Sequence, residues 1–238
     1  WPRLVQQKIN QTRKDMNAWV GNAGRSGNSA REHVFQVPHL LDTLPRTDVV
    51  LMMVGANDLG HRLKHDQAYD PDFMQRADAE AIEIPRAFSV YPLEHANSLP
   101  PYKRTEIYAR ARTAVNFLRT HVLNSGEVQD DRGEPVERWR TNRRNASRIR
   151  TDLPDLSTAL KEYETNLGRI VDLVTARGVP IVLMTQPTLW KTDLTADEKN
   201  LLWWGGIGDF QAEGARSEYY SVAAMKEALE RYNRILLG

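Results

Sequence analysis

Two short polar segments contain the residue types best suited to chemistry. The first, Gly55-Ala56-Asn57-Asp58, follows an apolar run and offers the side-chain amide of Asn57. The second is the glycine-rich segment 21–28, where glycine lets the backbone approach a ligand closely. N–H donors of these two kinds can hold the negative charge that develops on a carbonyl oxygen during acyl transfer. Taken alone, the four-residue motif is more typical of an Asx turn that ends a strand.

The predicted elements around these segments place both of them at one edge of a sheet. Residues 17–20 are predicted to form a strand that runs into the glycine-rich loop. Residues 48–54 are an unbroken apolar run, typical of a parallel strand buried on both faces. Because open α/β sheets bind ligands at the carboxyl ends of their strands, two neighbouring ends that carry donors favour a functional site.

A helix is predicted directly after the glycine-rich loop. Ser29 stands three residues before Glu32, which is the spacing of a capping box. Apolar residues then recur at helical spacing up to Pro45, at Val34, Val37, Leu40, Leu41 and Leu44. Pro38 lies inside this pattern, so we expect a kink or a shifted start of the helix.

A second helix and strand complete a crossover. An apolar stripe over residues 156–174 ends at Gly178, and a second apolar strand follows at 179–185. The stripe consists of Leu156, Leu160, Tyr163, Leu167, Ile170, Val171 and Val174. Strand, helix and strand in this order predict a right-handed parallel crossover, hence an α/β sheet with helices on both faces.

The whole chain, 1–238, is predicted to form one domain that contains an insertion. Pro2 begins a short amphipathic helix, Thr195 and Glu198 form another capping box, and Ser221 caps a last helix. Residues 60–150 do not follow the α/β pattern. They contain several prolines, a predicted helix from about Thr105 to Asn124, and an acidic-then-basic segment. We interpret them as a largely helical or irregular insertion.

Composition excludes several classes of protein. The chain has 238 residues, 41% of them hydrophobic, and 32 Lys plus Arg against 31 Asp plus Glu, which gives a net charge of +1. No apolar run approaches the roughly 18 residues of a membrane span. A broadly polyanion-binding protein is also disfavoured. Without cysteine, the chain has no disulfide, thiolate metal site or thiol nucleophile.

Two of these motifs resemble those of a known family. Gly27, in Asn22-Ala23-Gly24-Arg25-Ser26-Gly27-Asn28-Ser29, and Asn57, in Gly55-Ala56-Asn57-Asp58, resemble the second and third motifs of the SGNH, or GDSL-type, serine esterases and lipases. The resemblance covers about 1–58 and 155–238. It implies a flavodoxin-like three-layer α/β/α fold with a parallel sheet. It also implies hydrolysis of carboxylic esters, with the Gly27 N–H and the Asn57 amide as oxyanion-hole donors.

The same resemblance implies further properties. The substrate would be a small-molecule or carbohydrate ester, and no cofactor would be needed. Many relatives are secreted or periplasmic, which favours that localisation. The sequence itself gives no indication of an oligomeric state.

The first and fourth motifs of that family, a nucleophilic serine and a D-x-x-H pair, have no counterpart here. Asp58-Leu59-Gly60-His61 has the D-x-x-H spelling but follows the wrong strand, and Ser26 only approximates a nucleophile elbow. We therefore expect a fragment whose catalytic serine, histidine and aspartate lie outside these 238 residues. Alone, it should be nearly inactive. It should also be unstable or prone to aggregation, because an absent strand would leave apolar edges exposed.

Several further residues are candidates for binding substrate. Ser26, Asn28 and Asp58 adjoin the two motifs. Trp190, Trp203 and Trp204 follow the second apolar strand. Aromatic residues beside glycines suit a mobile lid over an acyl or sugar group, but ordinary packing explains them equally well.

Two other clusters could be functional sites or ordinary polar surface. His61, His65 and Asp66 could bind a metal, although a solvated polar segment is favoured and no metal is predicted. The arginines of segment 138–150 surround Trp139 as in a nucleic-acid patch. The acidic residues that precede them favour a self-neutralising surface, so no nucleic-acid partner is predicted.

Two alternatives to the esterase interpretation remain open. The Gly21 to Ser29 loop could bind a phosphate or nucleotide at a helix N-terminus, although it lacks the P-loop lysine and the G-x-G-x-x-G spacing. The chain could also be a non-catalytic interaction module that binds a partner through the 60–150 insertion.

Overall fold

The computed structural model describes residues 2–15, 17–88 and 133–238. The elements in these ranges are α1 Pro2–Thr12, α2 Ala30–Thr43, β1 Val50–Met53, α3 Ala56–His65, α4 Ala79–Phe88, α5 Gly133–Arg144, β2 Arg148–Arg150, α6 Ser157–Thr175, β3 Ile181–Met184, α7 Ala196–Asn200, β4 Glu218–Tyr220 and α8 Val222–Leu237. Short 3₁₀ turns occupy Asp66–Ala68 and Phe73–Gln75. The predicted helix from Thr105 to Asn124 lies outside the described residues.

The two apolar runs form the predicted parallel pair. β1 and β3 align in register from Val50 opposite Ile181 to Met53 opposite Met184. A second parallel pair, β2 with β4, aligns Arg148 with Glu218 and was not predicted. The α/β class is therefore confirmed. Within the described residues the sheets have two strands each, and this arrangement does not amount to a three-layer α/β/α sandwich.

The core lies where α2, α3 and α8 pack around α6. The predicted stripe of α6 is confirmed, since Leu156, Tyr163, Leu167, Ile170 and Val174 are all buried. They meet buried residues of α3 and α8, among them Leu59, Leu63, Met225, Ala228 and Tyr232. Full burial of one such Leu or Ile side chain contributes about 1.5–3 kcal/mol. This cluster fixes the start of α3, where Asn57 lies.

The helix starts follow the sequence closely. α2 begins at Ala30 behind the complete Ser29–Glu32 capping box and continues through Pro38 to Thr43, so its start is not shifted. The capping box at Thr195 and the cap at Ser221 are also confirmed. α1 spans Pro2–Thr12 as predicted.

The strand predicted at residues 17–20 is wrong. Side chains of α1 bind this backbone: Asn10 Oδ1 accepts from the Ala18 N–H at 2.8 Å, and Gln6 Oε1 accepts from the Val20 N–H at 2.9 Å. The Ala18 carbonyl accepts from Asn10 Nδ2 at 3.0 Å. Because these polar groups find partners on a helix, the segment needs no neighbouring strand. Trp19 is 75% exposed, contrary to a core position.

The described flanks of the predicted 60–150 insertion contribute to the packed body. Leu63, Phe73, Ala79 and Ala87 are buried, and β2 pairs with β4. The interpretation of this region as an insertion stays a prediction. Among the described helices, none is both long enough and apolar enough to cross a membrane.

Candidate functional site

The structure brings the two polar segments of the sequence into contact. β1 ends at Met53, and Gly55 turns the chain into α3 with a φ of 108°. A Cβ at this position would lie 3.0 Å from the Tyr163 hydroxyl, so both conformation and space require glycine. The turn places Asn57 in the first turn of α3, where its Nδ2 donates to the Asn28 carbonyl oxygen at 2.7 Å.

This hydrogen bond fixes the orientation of the Asn57 amide and leaves part of it available. An amide nitrogen carries two N–H groups, and the bond to Asn28 uses one of them. The second has no acceptor among the described residues, and the Asn57 side chain is partly exposed. A ligand oxygen can therefore approach a donor whose direction is already set.

Gly27 presents a second donor beside the same contact. It precedes Asn28, is exposed, and has a φ of 92°, a value that disfavours any other residue. A Cβ built here would meet no atom of the described residues within 4 Å. Its N–H makes no hydrogen bond within residues 2–15, 17–88 and 133–238. Ser26, its neighbour, is also exposed on this loop.

Asp58 connects α3 to α2. Its Oδ1 accepts the N–H of Ala30, the first residue of α2, at 2.9 Å. Its Oδ2 is buried with no partner among the described residues. Burial raises the pKa of Asp58 to about 7, and the nearby Glu32 carboxylate acts in the same direction. Asp58 therefore holds the Gly27–Asn28 loop at a fixed position relative to Asn57.

The N–H groups at the start of α2 already have hydrogen-bond acceptors within the chain. Ser29 Oγ accepts from the Arg31 N–H, and Glu32 Oε2 accepts from the Ser29 N–H at 2.9 Å. With Asp58 on Ala30, two carboxyl groups occupy the position where a phosphate would bind. The phosphate-binding alternative stays a prediction, and this arrangement weighs against it.

A buried charged network lies below the site and was missed by sequence reasoning. Arg31 Nε contacts Glu162 Oε1 at 2.6 Å, and Arg31 Nη2 contacts Glu162 Oε2 at 2.8 Å. Arg31 Nη2 also donates to the Asp70 carbonyl oxygen at 2.7 Å, and the Tyr69 hydroxyl donates to Glu162. No sequence signal indicated this pair, because Arg31 and Glu162 are 131 residues apart.

His61 belongs to this network. Its Nε2 lies 3.1 Å from Arg31 Nη1, and its side chain is partly buried, which differs from the solvated segment favoured by the sequence. Burial, followed by the Arg31 charge, lowers the pKa of His61 to about 3. His61 is thus a neutral acceptor for Arg31. A cavity of about 10 Å³ beside it, lined also by Asp58 and Tyr163, has the size of one water molecule.

The tryptophans proposed as a lid are packed against the body. Trp190 is buried, and the ring of Trp204 lies so close to Gly60 that a Cβ there would be 2.5 Å from it. Trp203 packs against Trp139 with ring centroids 4.9 Å apart. These contacts favour the packing interpretation over the lid.

The site supplies donors, whereas no described histidine is hydrogen-bonded to Gly27, Asn28 or Asn57. His33 bonds to Gln36, His39 packs against Phe88, and His65 packs against His61. His95 and His121 lie outside the described residues. In the described part of the chain, no group of three or more His, Asp or Glu side chains could hold a metal ion.

The arrangement therefore offers two N–H donors, one from a side chain and one from the backbone, that have no acceptor among the described residues. Searches against protein-family models, curated proteins and solved structures found no match to this chain.

Proposed function

We propose that this chain forms the oxyanion-binding half of a serine hydrolase that acts on carboxylic esters, of the SGNH or GDSL type. The observation that supports this most is the bond from Asn57 to the Asn28 carbonyl. It orients the Asn57 amide, leaves its second N–H without an acceptor among the described residues, and joins Asn57 to the residue that follows Gly27.

The reaction on this proposal is acyl transfer. A serine hydroxyl attacks the ester carbonyl while a histidine, oriented by an aspartate, takes its proton. The histidine then gives that proton to the alcohol as the ester C–O bond breaks, and water hydrolyses the acyl-serine by the same route. These three residues come, on this proposal, from sequence outside the 238 residues. The carbonyl oxygen becomes an oxyanion, which the N–H groups of Gly27 and Asn57 bind more strongly than the ground-state ester.

Preorganisation explains why the surrounding residues take part. The Asn28 carbonyl sets the direction of the Asn57 amide, Gly55 permits the turn before it, and Asp58 holds the start of α2. Donors fixed in this way need no reorganisation when charge develops, and removal of one typically lowers turnover by about 10²–10³. The proposed substrate is a small-molecule or carbohydrate ester, and the chemistry needs no cofactor.

The test is the kinetics of Asn57→Ala in the full natural protein, with p-nitrophenyl acetate as substrate. We expect kcat to fall by about 10²–10³ with a small change in KM, because the lost donor acts mainly in the transition state. Asn200→Ala is the matched control, since Asn200 is an exposed asparagine at the end of α7. A folded Asn57→Ala protein with unchanged kcat would contradict the proposal.

A further inference from the structure

A second cavity, of about 350 Å³, shares no lining residue with the site at Asn57. One wall is formed by Arg138, Thr141, Asn142 and Asn145, and the other by residues 214–216 of the loop before β4. Cavities of about 300–1,000 Å³ are the size class that holds small molecules.

The cavity is lined by two positively charged side chains and by no described carboxylate. Arg138 and Arg216 are exposed and have no carboxylate partner among the described residues. Neighbouring arginines do have such partners: Arg140 and Arg144 pair with Glu137, and Arg150 pairs with Glu218. The acidic residues of the loop, Asp209 and Glu213, do not line the cavity.

The two walls are held together before any ligand arrives. Asn142 is 4% exposed, and its Nδ2 donates to the carbonyl oxygens of Phe210 at 3.0 Å and Ala212 at 2.7 Å. The buried Tyr219 hydroxyl also donates to the Phe210 carbonyl, at 3.2 Å. The two Asn142 bonds fix the loop to α5, so binding in the cavity costs little ordering of the backbone.

The side chains define the chemistry of the ligand. Guanidinium groups present N–H donors in a fork that matches the oxygens of a carboxylate or phosphate. Thr141 and Asn145 lie at spacings of three and seven residues from Arg138, which places all three along one face at the end of α5. Their hydroxyl and amide groups suit the hydroxyls of a polar ligand body.

We propose that this cavity binds a small polar molecule that carries an oxyanion, with Arg138 and Arg216 as the residues that hold the anionic group. The proposal is independent of the esterase function. It requires neither Asn57 nor Gly27.

Calorimetric titration of the full natural protein tests this proposal. Glucose 6-phosphate, glucuronate and glucose share a sugar body and differ in the anionic group. We expect at least one of the two anionic sugars to bind with a Kd below about 1 mM, while glucose does not bind. The sugar that binds identifies the group as phosphate or carboxylate. If neither anionic sugar binds, or glucose binds equally well, the proposal is overturned.

Variants distinguish the cavity from general electrostatic attraction. Arg138→Gln and Arg216→Gln should each weaken binding about tenfold or more, because each removes a charged hydrogen-bond donor. Arg169→Gln, an exposed arginine on α6, makes the same change in net charge and should alter Kd less than twofold. Equal weakening by all three variants would overturn the proposal. Thermal unfolding of each variant confirms that it is folded.

Discussion

Arg31 and Arg143 lie in two regions of the molecule that accommodate a sheltered guanidinium in different ways. Arg31, below the Asn57 site, makes a bidentate ion pair with Glu162. Arg143, in α5, donates to the carbonyl oxygens of Trp204 and Tyr220, both at 2.7 Å, and lies 5.0 Å from the centre of the Trp190 ring. The Glu162 carboxylate thus neutralises the charge of Arg31. Arg143 is surrounded instead by backbone carbonyl groups and aromatic rings.

The pKa values of the two arginines follow this difference. Burial lowers the pKa of Arg31, but the hydrogen bond and charge of Glu162 outweigh burial, so its pKa stands above the ordinary value. Burial lowers the pKa of Arg143 to about 10, with no carboxylate to offset the effect. The Arg31 guanidinium is therefore stabilised by an ion pair, and the Arg143 guanidinium by carbonyl groups and an aromatic ring.

Breaking the ion pair should have the largest effect on stability. Glu162→Gln leaves the Arg31 charge buried without its acid, and such a change typically costs about 3–5 kcal/mol. Glu164→Gln, two residues away on the exposed face of α6, should change the free energy of unfolding by less than about 0.5 kcal/mol. Urea unfolding of both variants measures the difference, and equal stabilities would contradict the assignment of Arg31.

Arg143 should be less critical than Arg31. In Arg143→Lys, one ammonium cannot replace the fork that reaches two carbonyl oxygens, and loss of one charged hydrogen bond costs about 1.5–3 kcal/mol. The control is Arg169→Lys, at an exposed position. If Arg143→Lys destabilised the protein more than Glu162→Gln, the order of the two regions would be reversed.

The region around Arg31 also contains two groups whose effects on stability oppose each other as pH changes. The pKa of Asp58 rises from 3.8 to about 7 on folding, so the folded state keeps a proton that the unfolded state releases. Its contribution to the free energy of unfolding should therefore fall as pH rises from about 4 to about 7. The pKa of His61 falls from 6.5 to about 3, so its contribution is lost as pH falls through that range.

Variants should separate these two slopes. Asp58→Asn keeps the acceptor for Ala30 and removes the Asp58 titration, so the free energy of unfolding should rise more steeply with pH between about 4 and 6.5. His61→Gln keeps an acceptor for Arg31 and should give the opposite change. Urea unfolding across this pH range measures both, and identical slopes in the two variants would contradict these pKa shifts.

The smallest effect is expected at the ring contact of the second region. A double-mutant cycle with Trp139→Leu and Trp203→Leu should give a coupling energy of about 0.5–1.5 kcal/mol. Trp190 and Trp204, whose ring centroids are 6.4 Å apart, should couple less in a parallel cycle. A coupling energy near zero would contradict a stabilising contact between the Trp139 and Trp203 rings.

Local signals in the sequence predicted much of the fold. The capping boxes at Ser29 and Thr195, the α6 stripe, and the β1–β3 pair all follow from residue spacing. Patterns within a few residues could not predict contacts between distant ones, such as Arg31 with Glu162 or β2 with β4. Residues 17–20 have the composition of a strand, but side chains of α1 supply their backbone partners.

The candidate site likewise combines residues that local motifs predict with contacts that they do not. Gly27 and Asn57 could be selected from their motifs, and the structure brings their segments together. The role of Asp58 in holding α2 depends on a contact across 28 residues, which no local motif encodes. The arginine cavity could not be anticipated, because its opposite walls belong to α5 and to the loop before β4.

The most direct test of the central claim is labelling of the full natural protein with a fluorophosphonate serine probe, followed by mass mapping of the adduct. On the proposed function we expect one adduct, on a serine outside the 238 residues, and slower labelling in Asn57→Ala than in Asn200→Ala. No adduct on the folded protein, or an adduct on Ser26, would contradict an oxyanion site formed by Gly27 and Asn57.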